Sequence, residues 1–171
     1  MLIRPMQPDD AAIVAMIHTL AWQHAYSGII DQGFLDAIDL QKRSEGWRNG
    51  IITNKPDILR LVAVVDEKIC GFVTGLENRK ADLLPHCDSE LWAIYVHPTK
   101  LRNGAGKKLF ARFNADLEAF GKKRFCVWAL EENTPARKFY ESRGGILSSV
   151  KKDIVIGEQT LVEVAYEFSI Q

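Results

Sequence analysis

The chain has 171 residues, with 22 Lys and Arg balanced by 22 Asp and Glu for a formal net charge of zero. That balance gives no broad cationic field for steering onto nucleic acid or an anionic membrane. Hydrophobic residues make up 47% and charged residues 26%, which excludes disorder, collagen-like repeats and a coiled rod.

The length fits a single domain over 1–171. Met1–Pro5 reads as a short strand stopped by Pro5 and Pro8. Asp9 or Asp10 can cap a helix whose apolar stripe is Ile13, Val14, Ile17 and Ala21. Residues 31–50 read as one or two short helices. Leu59–Val65 and Ile69–Leu76 form a hairpin turned at Asp66-Glu67-Lys68. The polar stretch 77–89 is a loop. Glu90–Val96 is a strand ended by His97-Pro98, and after the loop Thr99–Gly106 a helix runs to Phe120, stopped by Gly121. Phe125–Leu130 is a strand, a helix follows from Thr134 to Arg143, and two strands near 146–155 and 160–169 turn at Gly157. The hairpins are antiparallel, and strand–helix–strand in the middle requires a parallel pair. The expected fold is therefore a mixed α/β sheet.

Cys70, Cys87 and Cys126 form no CxxC pair, so spacing suggests neither a disulfide framework nor a zinc knuckle, and no metal is expected. Cys70 and Cys126 sit in apolar runs and read as core. The N-terminus lacks an apolar h-region, and the longest apolar runs fall short of the ~20 residues a membrane span needs. A cytoplasmic protein with no nucleic-acid or membrane partner is expected.

Two segments carry chemistry. Leu101–Lys108 joins a strand to a helix start, where N–H groups lack partners and the dipole favours negative charge. Gly104 and Gly106 let the backbone approach a ligand, and Arg102, Lys107 and Lys108 add positive charge. These features suit a phosphate-binding turn, although a lone GxG more often marks a tight loop with solvated basic residues. After the next strand, Asn133 and Tyr140 stand seven apart, about two helical turns. The amide could bind a polar ligand and the phenol could donate a proton; a capping Asn and a half-buried Tyr are the bland alternative.

In order, strand–[V-H-P-x5-G-x-G]–helix–strand–[N-x-x-A-x-x-F-Y-E-x-x-G]–strand resembles the GCN5-related N-acetyltransferase (GNAT) superfamily over nearly the whole chain. Ala21-Trp22, Tyr26–Ile30, Phe34-Leu35 and Trp128–Asn133 resemble a bacterial small-molecule branch. The resemblance implies a mostly antiparallel mixed sheet with a central parallel pair flanked by helices, and acetyl-CoA as cofactor. It implies that Ile94, Tyr95 and Val96 hold the pantetheine arm through backbone groups. The loop Arg102, Asn103, Gly104, Ala105, Gly106 and Lys107 would wrap the pyrophosphate. Asn133 would contact the cofactor arm, and Tyr140 would protonate the leaving thiolate. The chain departs from the usual pattern at Leu101, where Gln or Arg is common.

Acetyl transfer needs a deprotonated amine, since an ammonium of pKa ~10.4 has no lone pair. Glu90 is the expected base, directly or through water, with a solvated strand-end Glu as the alternative reading and His97 as a weaker candidate. On a regular strand Glu90, Trp92, Ile94 and Val96 share one face, a parity that a bulge would shift. His18, Trp22 and Tyr26 recur every four residues. They read first as an aromatic ridge beside the core, and second as an acceptor wall of Trp22 and Tyr26 with Trp92 opposite. Such aromatic faces with Glu90 or Asp88 would suit a cationic amine. The expected activity is acetyl transfer to a primary amine of a small molecule, polyamine or amino-acid-like. A protein or peptide acetyltransferase and a noncatalytic acyl-CoA sensor stand as alternatives, and a homodimer is left open by analogy with relatives.

Overall fold

The computed structural model describes residues 1–53 and 58–170. Seven strands form one sheet in the order β1-β2-β3-β4-β5-β7-β6. They are β1 (Leu2–Pro5), β2 (Ile58–Val65), β3 (Lys68–Leu76), β4 (Ser89–Val96), β5 (Arg124–Leu130), β6 (Ile146–Ile156) and β7 (Gln159–Ser169). The helices are α1 (Ala11–Ala25), α2 (Gln32–Asp36), α3 (Leu40–Ile52), α4 (Ala105–Ala119) and α5 (Thr134–Ser142). Every adjacent pair is antiparallel except β4 and β5. That is the expected mixed α/β architecture, with strand bounds within a residue or two of those read from the sequence.

The first helix starts differently from expectation. Asp10 precedes α1 but does not cap it with its side chain. Its carboxylate instead accepts from the Gln7 N–H at 2.7 Å and from both terminal nitrogens of Arg4 at 2.6 and 2.9 Å. The nearby guanidinium holds the Asp10 carboxyl below the ordinary carboxylate range.

The sheet has two covered faces. On one, α4 lays Leu109, Phe113 and Leu117 against Val73, Leu91, Phe125 and Val127, with Cys70 in the same core. On the other, α1 places Val14 and Ile17 against Val62 and Phe72. Cys126 is fully buried on that second side, as its apolar run predicts.

Close approach of β3 to β4 depends on glycine. A Cβ at Gly75 would stand 2.2 Å from the Glu90 carbonyl oxygen and 2.9 Å from Leu91 Cα. Backbone cannot yield as a side-chain tip can, so overpacking here is costly. Gly75→Ala should lower the unfolding free energy by about 2 kcal/mol or more in urea titrations; an unchanged midpoint would show that the two strands can separate without cost.

The aromatic ridge of α1 is core-flanking, as its position suggests. His18 lies 5.1 Å from the Tyr95 ring, 5.5 Å from Phe72, 5.7 Å from Trp22 and 5.9 Å from Trp47, centroid to centroid. Burial, helped by the Arg43 charge, pushes its pKa down to about 3. An unfolded His titrates near 6.5, so below that pH the unfolded chain takes up a proton that the native state refuses until about pH 3. Stability is therefore complete above pH 6.5 and falls as the solution is acidified. Between pH 7 and pH 5 the loss from this residue should be ~2 kcal/mol. His18→Phe should flatten that part of the denaturation-against-pH curve, and an equally steep curve in the variant would assign the loss elsewhere.

Candidate active site

The parallel pair is short. β4 and β5 share only three rungs, Ser89↔Phe125, Glu90↔Cys126 and Leu91↔Val127. Beyond them the strands part. β4 remains paired to β3 through Val96↔Gly71, while β5 remains paired to β7 through Leu130↔Glu163. Among the described residues no strand pairs with the other edge of β4 after Leu91. A main-chain edge left without a strand must find another partner, which here can be a ligand or water.

A cavity of about 570 Å³ occupies this fork. Ile94, Tyr95 and Val96 form its β4 wall, and Arg102, Asn103, Gly104, Gly106 and Lys107 form one end. Asn133 and Tyr140 close it from α5. Every residue expected to touch the cofactor lines this one space except Ala105, which turns inward and is 1% exposed.

The loop before α4 turns sharply into the helix start. Arg102 takes a left-handed φ of 61° and Gly104 one of 87°, so the chain curls twice before the helix starts. Gly104 is needed for that backbone, because L side chains rarely adopt such a φ. The Asn103 side chain accepts the Ala105 N–H at 2.9 Å. The next two N–H groups of the first turn, on Gly106 and Lys107, meet no acceptor among the described residues. Gly106 is a different case from Gly104, since a Cβ there would meet Phe139 at an ordinary 3.6 Å. Nothing in the protein's own packing demands a glycine at that position.

Asn133 caps α5, its Oδ1 accepting the Ala136 N–H at 3.2 Å, and is 5% exposed. The capping role and the position on the cavity coexist. Tyr140 is more deeply placed than a half-buried ring, at 6% exposure. Burial first, and then the neighbouring Tyr26, push its phenol pKa up. It is therefore an acid that stays protonated at neutral pH.

The opposite face of the fork differs from expectation. β4 has a bulge: Leu91 faces Gly75 and Ala93 faces Thr74, so Trp92 is an extra residue without a partner in β3. The bulge reverses parity. Leu91, Ile94 and Val96 pack with the α4 core, whereas Ala93 and Tyr95 pack with α1. Glu90, beside Cys126 in the ladder, lies on the α1 side, not with Ile94 and Val96 as a regular strand would place it. Its carboxylate is 2% exposed, accepts the Arg79 N–H at 2.9 Å and pairs with the Arg79 guanidinium. Asp88 is not part of this face. Its carboxylate accepts the Lys123 N–H at 2.8 Å and fixes the start of β5.

Trp22 and Tyr26 meet edge to face at 5.2 Å, and the Tyr26 hydroxyl shares a 2.8 Å hydrogen bond with that of Tyr95. Burial raises both phenol pKa values. Trp92 is held elsewhere, its indole N–H donating to the Glu77 carbonyl at 2.8 Å. The aromatic faces are already occupied by cations of the chain itself. Arg43 lies 5.2 Å from the Trp22 ring centroid, Arg79 4.8 Å from Trp92, and Lys152 4.7 Å from Trp128.

Several residues here escaped sequence reasoning. Ala21, His24, Phe139 and Arg143 also line the cavity. Arg143 was only the end of a helix, and the one available hint was that it continues the Asn133-to-Tyr140 helix by three residues. Glu163 of β7 reaches the α1 face and pairs with Lys152 at 2.6 Å; nothing local marks it.

Residues 14–145 match the acetyltransferase (GNAT) family. The uncharacterized N-acetyltransferase YuaI of Bacillus subtilis (strain 168) is 26% identical over 142 residues, covering 82% of this chain and 77% of that protein. Among solved structures, PaiA N-acetyltransferase of Thermoplasma acidophilum in complex with coenzyme A superposes with a TM-score of 0.74 at 20% identity, over 95% of this chain and 96% of that one. Ribosomal-protein-alanine N-acetyltransferase of Brucella melitensis does so with a TM-score of 0.75 at 19% identity, over 99% of each chain. With the fork, the glycine-turned helix start and the family match over most of its length, the chain belongs to the GNAT family of acetyltransferases, whose acyl donor is acetyl-CoA.

Proposed function

We propose that this chain transfers the acetyl group of acetyl-CoA to the primary amine of a small, amino-acid-like molecule. The reading is carried by the fork: an edge of β4 without a strand partner, facing a cavity whose other end is a glycine-turned helix start. The pantetheine amides pair with the backbone of Ile94–Val96 as an added strand would. The pyrophosphate sits on the free N–H groups of Gly106 and Lys107, with Arg102 and Lys107 supplying charge. The spare room at Gly106 fits this use, because the group that needs it is the ligand. Asn133 holds the cofactor arm from the α5 side.

The amine approaches from the α1 face and attacks the thioester carbonyl carbon. A β4 N–H meets the developing oxyanion. The C–S bond breaks, and the Tyr140 hydroxyl gives its proton to the departing thiolate. Glu90, on the α1 face at the closed end of the fork, takes the proton lost by the ammonium through water. Arg79 fixes the direction of that carboxylate.

The aromatic faces favour one acceptor class over the other. A polyamine would seek Trp22 or Trp92 by cation–π contact, but Arg43 and Arg79 already cover them. An amine with a single cationic centre meets less repulsion here.

A thiol-release assay with acetyl-CoA against amino acids and their amides, polyamines, aminoglycosides and peptides tests the reading. Turnover should be highest with amino-acid-like amines; turnover with peptides alone would make this a protein acetyltransferase, and none with any acceptor despite CoA binding would make it a sensor. Tyr140→Phe should lower kcat by about 10²-fold or more while leaving CoA affinity within a few-fold. An unchanged rate at every pH would remove the phenol from the mechanism. Glu90→Gln should slow turnover most near neutral pH with CoA affinity kept, and a normal pH–rate profile would reject Glu90 as base.

A further inference from the structure

On the α1 side of the sheet, behind the closed end of the fork, metal-ligating side chains converge from three separate segments. Glu167 of β7 stands directly opposite Cys126 of β5. The loop between β3 and β4 lays His86 and Cys87 over that pair. His86 Nε2 lies 2.6 Å from Glu167 Oε2. The ligand atoms of His86, Cys87 and Glu167 all lie within 4.8 Å of one another. Cys126 adjoins this trio: it packs in one small core with Cys87, and both cysteines are free and buried. The His86 side chain is 45% exposed, which leaves a way in from solvent.

We propose that His86, Cys87, Cys126 and Glu167 form a binding site for one zinc-type divalent cation. Thiolate, imidazole and carboxylate donors in a set of four are what tetrahedral zinc takes. Zinc–ligand bonds of ~2.0–2.3 Å put ligand atoms ~3.3–3.8 Å apart, so His86, Cys87 and Glu167 must close by about 1 Å and draw in Cys126 beside them. The imidazole rides on a loop and can make that movement. The hydrogen bond between His86 and Glu167 opens to admit the ion.

Charge and protons balance. Each thiol gives up a proton to solvent, and His86 binds as the neutral ring. Two thiolates and a carboxylate against a dication leave one negative charge, which faces Arg124, whose charge already acts on His86, Cys87 and Glu167. The ion fastens the β3–β4 loop to β5 and β7. The same loop carries Arg79 to Glu90, and Glu90 is the ladder partner of Cys126. The site is thus a staple behind the acceptor-side wall, separate from the cofactor cavity.

The test is a titration of the reduced, chelator-treated full-length chain with Co²⁺, followed by Zn²⁺. One Co²⁺ per chain should bind with thiolate-to-metal charge-transfer absorption and tetrahedral d–d bands, and one equivalent of Zn²⁺ should displace it. Cys87→Ser should abolish or strongly reduce the charge-transfer band. His86→Ala, a change on an exposed loop that the fold tolerates, should weaken Co²⁺ binding by about tenfold or more, since it removes a direct ligand. Cys70→Ala, in the other core, should keep the band. Absence of a stoichiometric site, a band that survives both Cys87→Ser and His86→Ala, or Cys87 and Cys126 found joined as a disulfide with no metal uptake would each overturn the proposal.

Discussion

β4 and β5 run parallel for three rungs and then separate, and the active face of the molecule follows from that separation. Parallel neighbours need a crossover, and α4 provides it. Its N-terminus must therefore begin near the end of β4 and beside the opening. The fork exposes main-chain groups that would be paired in a continuous sheet, and it ends at a helix start with free N–H groups. Two unsatisfied backbone edges thus face one cavity of about 570 Å³. An extended chain carrying amides and ending in a pyrophosphate satisfies both at once. Holding such a chain by its backbone would need few specific side chains, so Leu101, a departure from the pattern the resemblance leads one to expect, would not prevent it.

The bulge at Trp92 sets the second half of the geometry. Without it, Glu90 would face the cofactor side with Ile94 and Val96. With it, the two faces of β4 divide the labour: Ile94 and Val96 toward the α4 core, Glu90, Ala93 and Tyr95 toward α1. Gly75 allows the bulge by removing a Cβ that would overlap the Glu90 carbonyl. Electrostatics then sharpen the α1 face. Its carboxylates, Glu90 and Glu163, are each matched to a basic side chain of the chain itself, and the indole faces are covered by cations. The face that the residue types suggested would suit a cationic amine is closer to neutral.

Much of this was legible in the residues. Strand and helix bounds follow from apolar periodicity and from Pro and Gly punctuation, and the cofactor end follows from backbone chemistry that glycine and a helix start announce. What escaped depends on register and on contacts across the chain. No local signal fixes the bulge, because Trp92 is an ordinary strand residue until β3 fails to meet it. Arg79 and Glu90 are eleven residues apart across a loop, so their pairing depends on how that loop folds back. Asp10 illustrates a smaller miss: a helix-capping residue by type, it serves Arg4 and the preceding turn instead. The cluster of His86, Cys87, Cys126 and Glu167 is dispersed over three segments, and spacing rules for metal sites look for neighbours in sequence.

In the proposed function, the unpaired edge of β4 and the first turn of α4 together hold the cofactor through backbone groups. Amide hydrogen exchange with and without CoA measures this directly. Protection should rise on Ile94–Val96 and on Arg102–Lys107 together, with little change along β1, β2 and α3. Tight CoA binding that leaves exchange at β4 and the α4 start unaltered would contradict it.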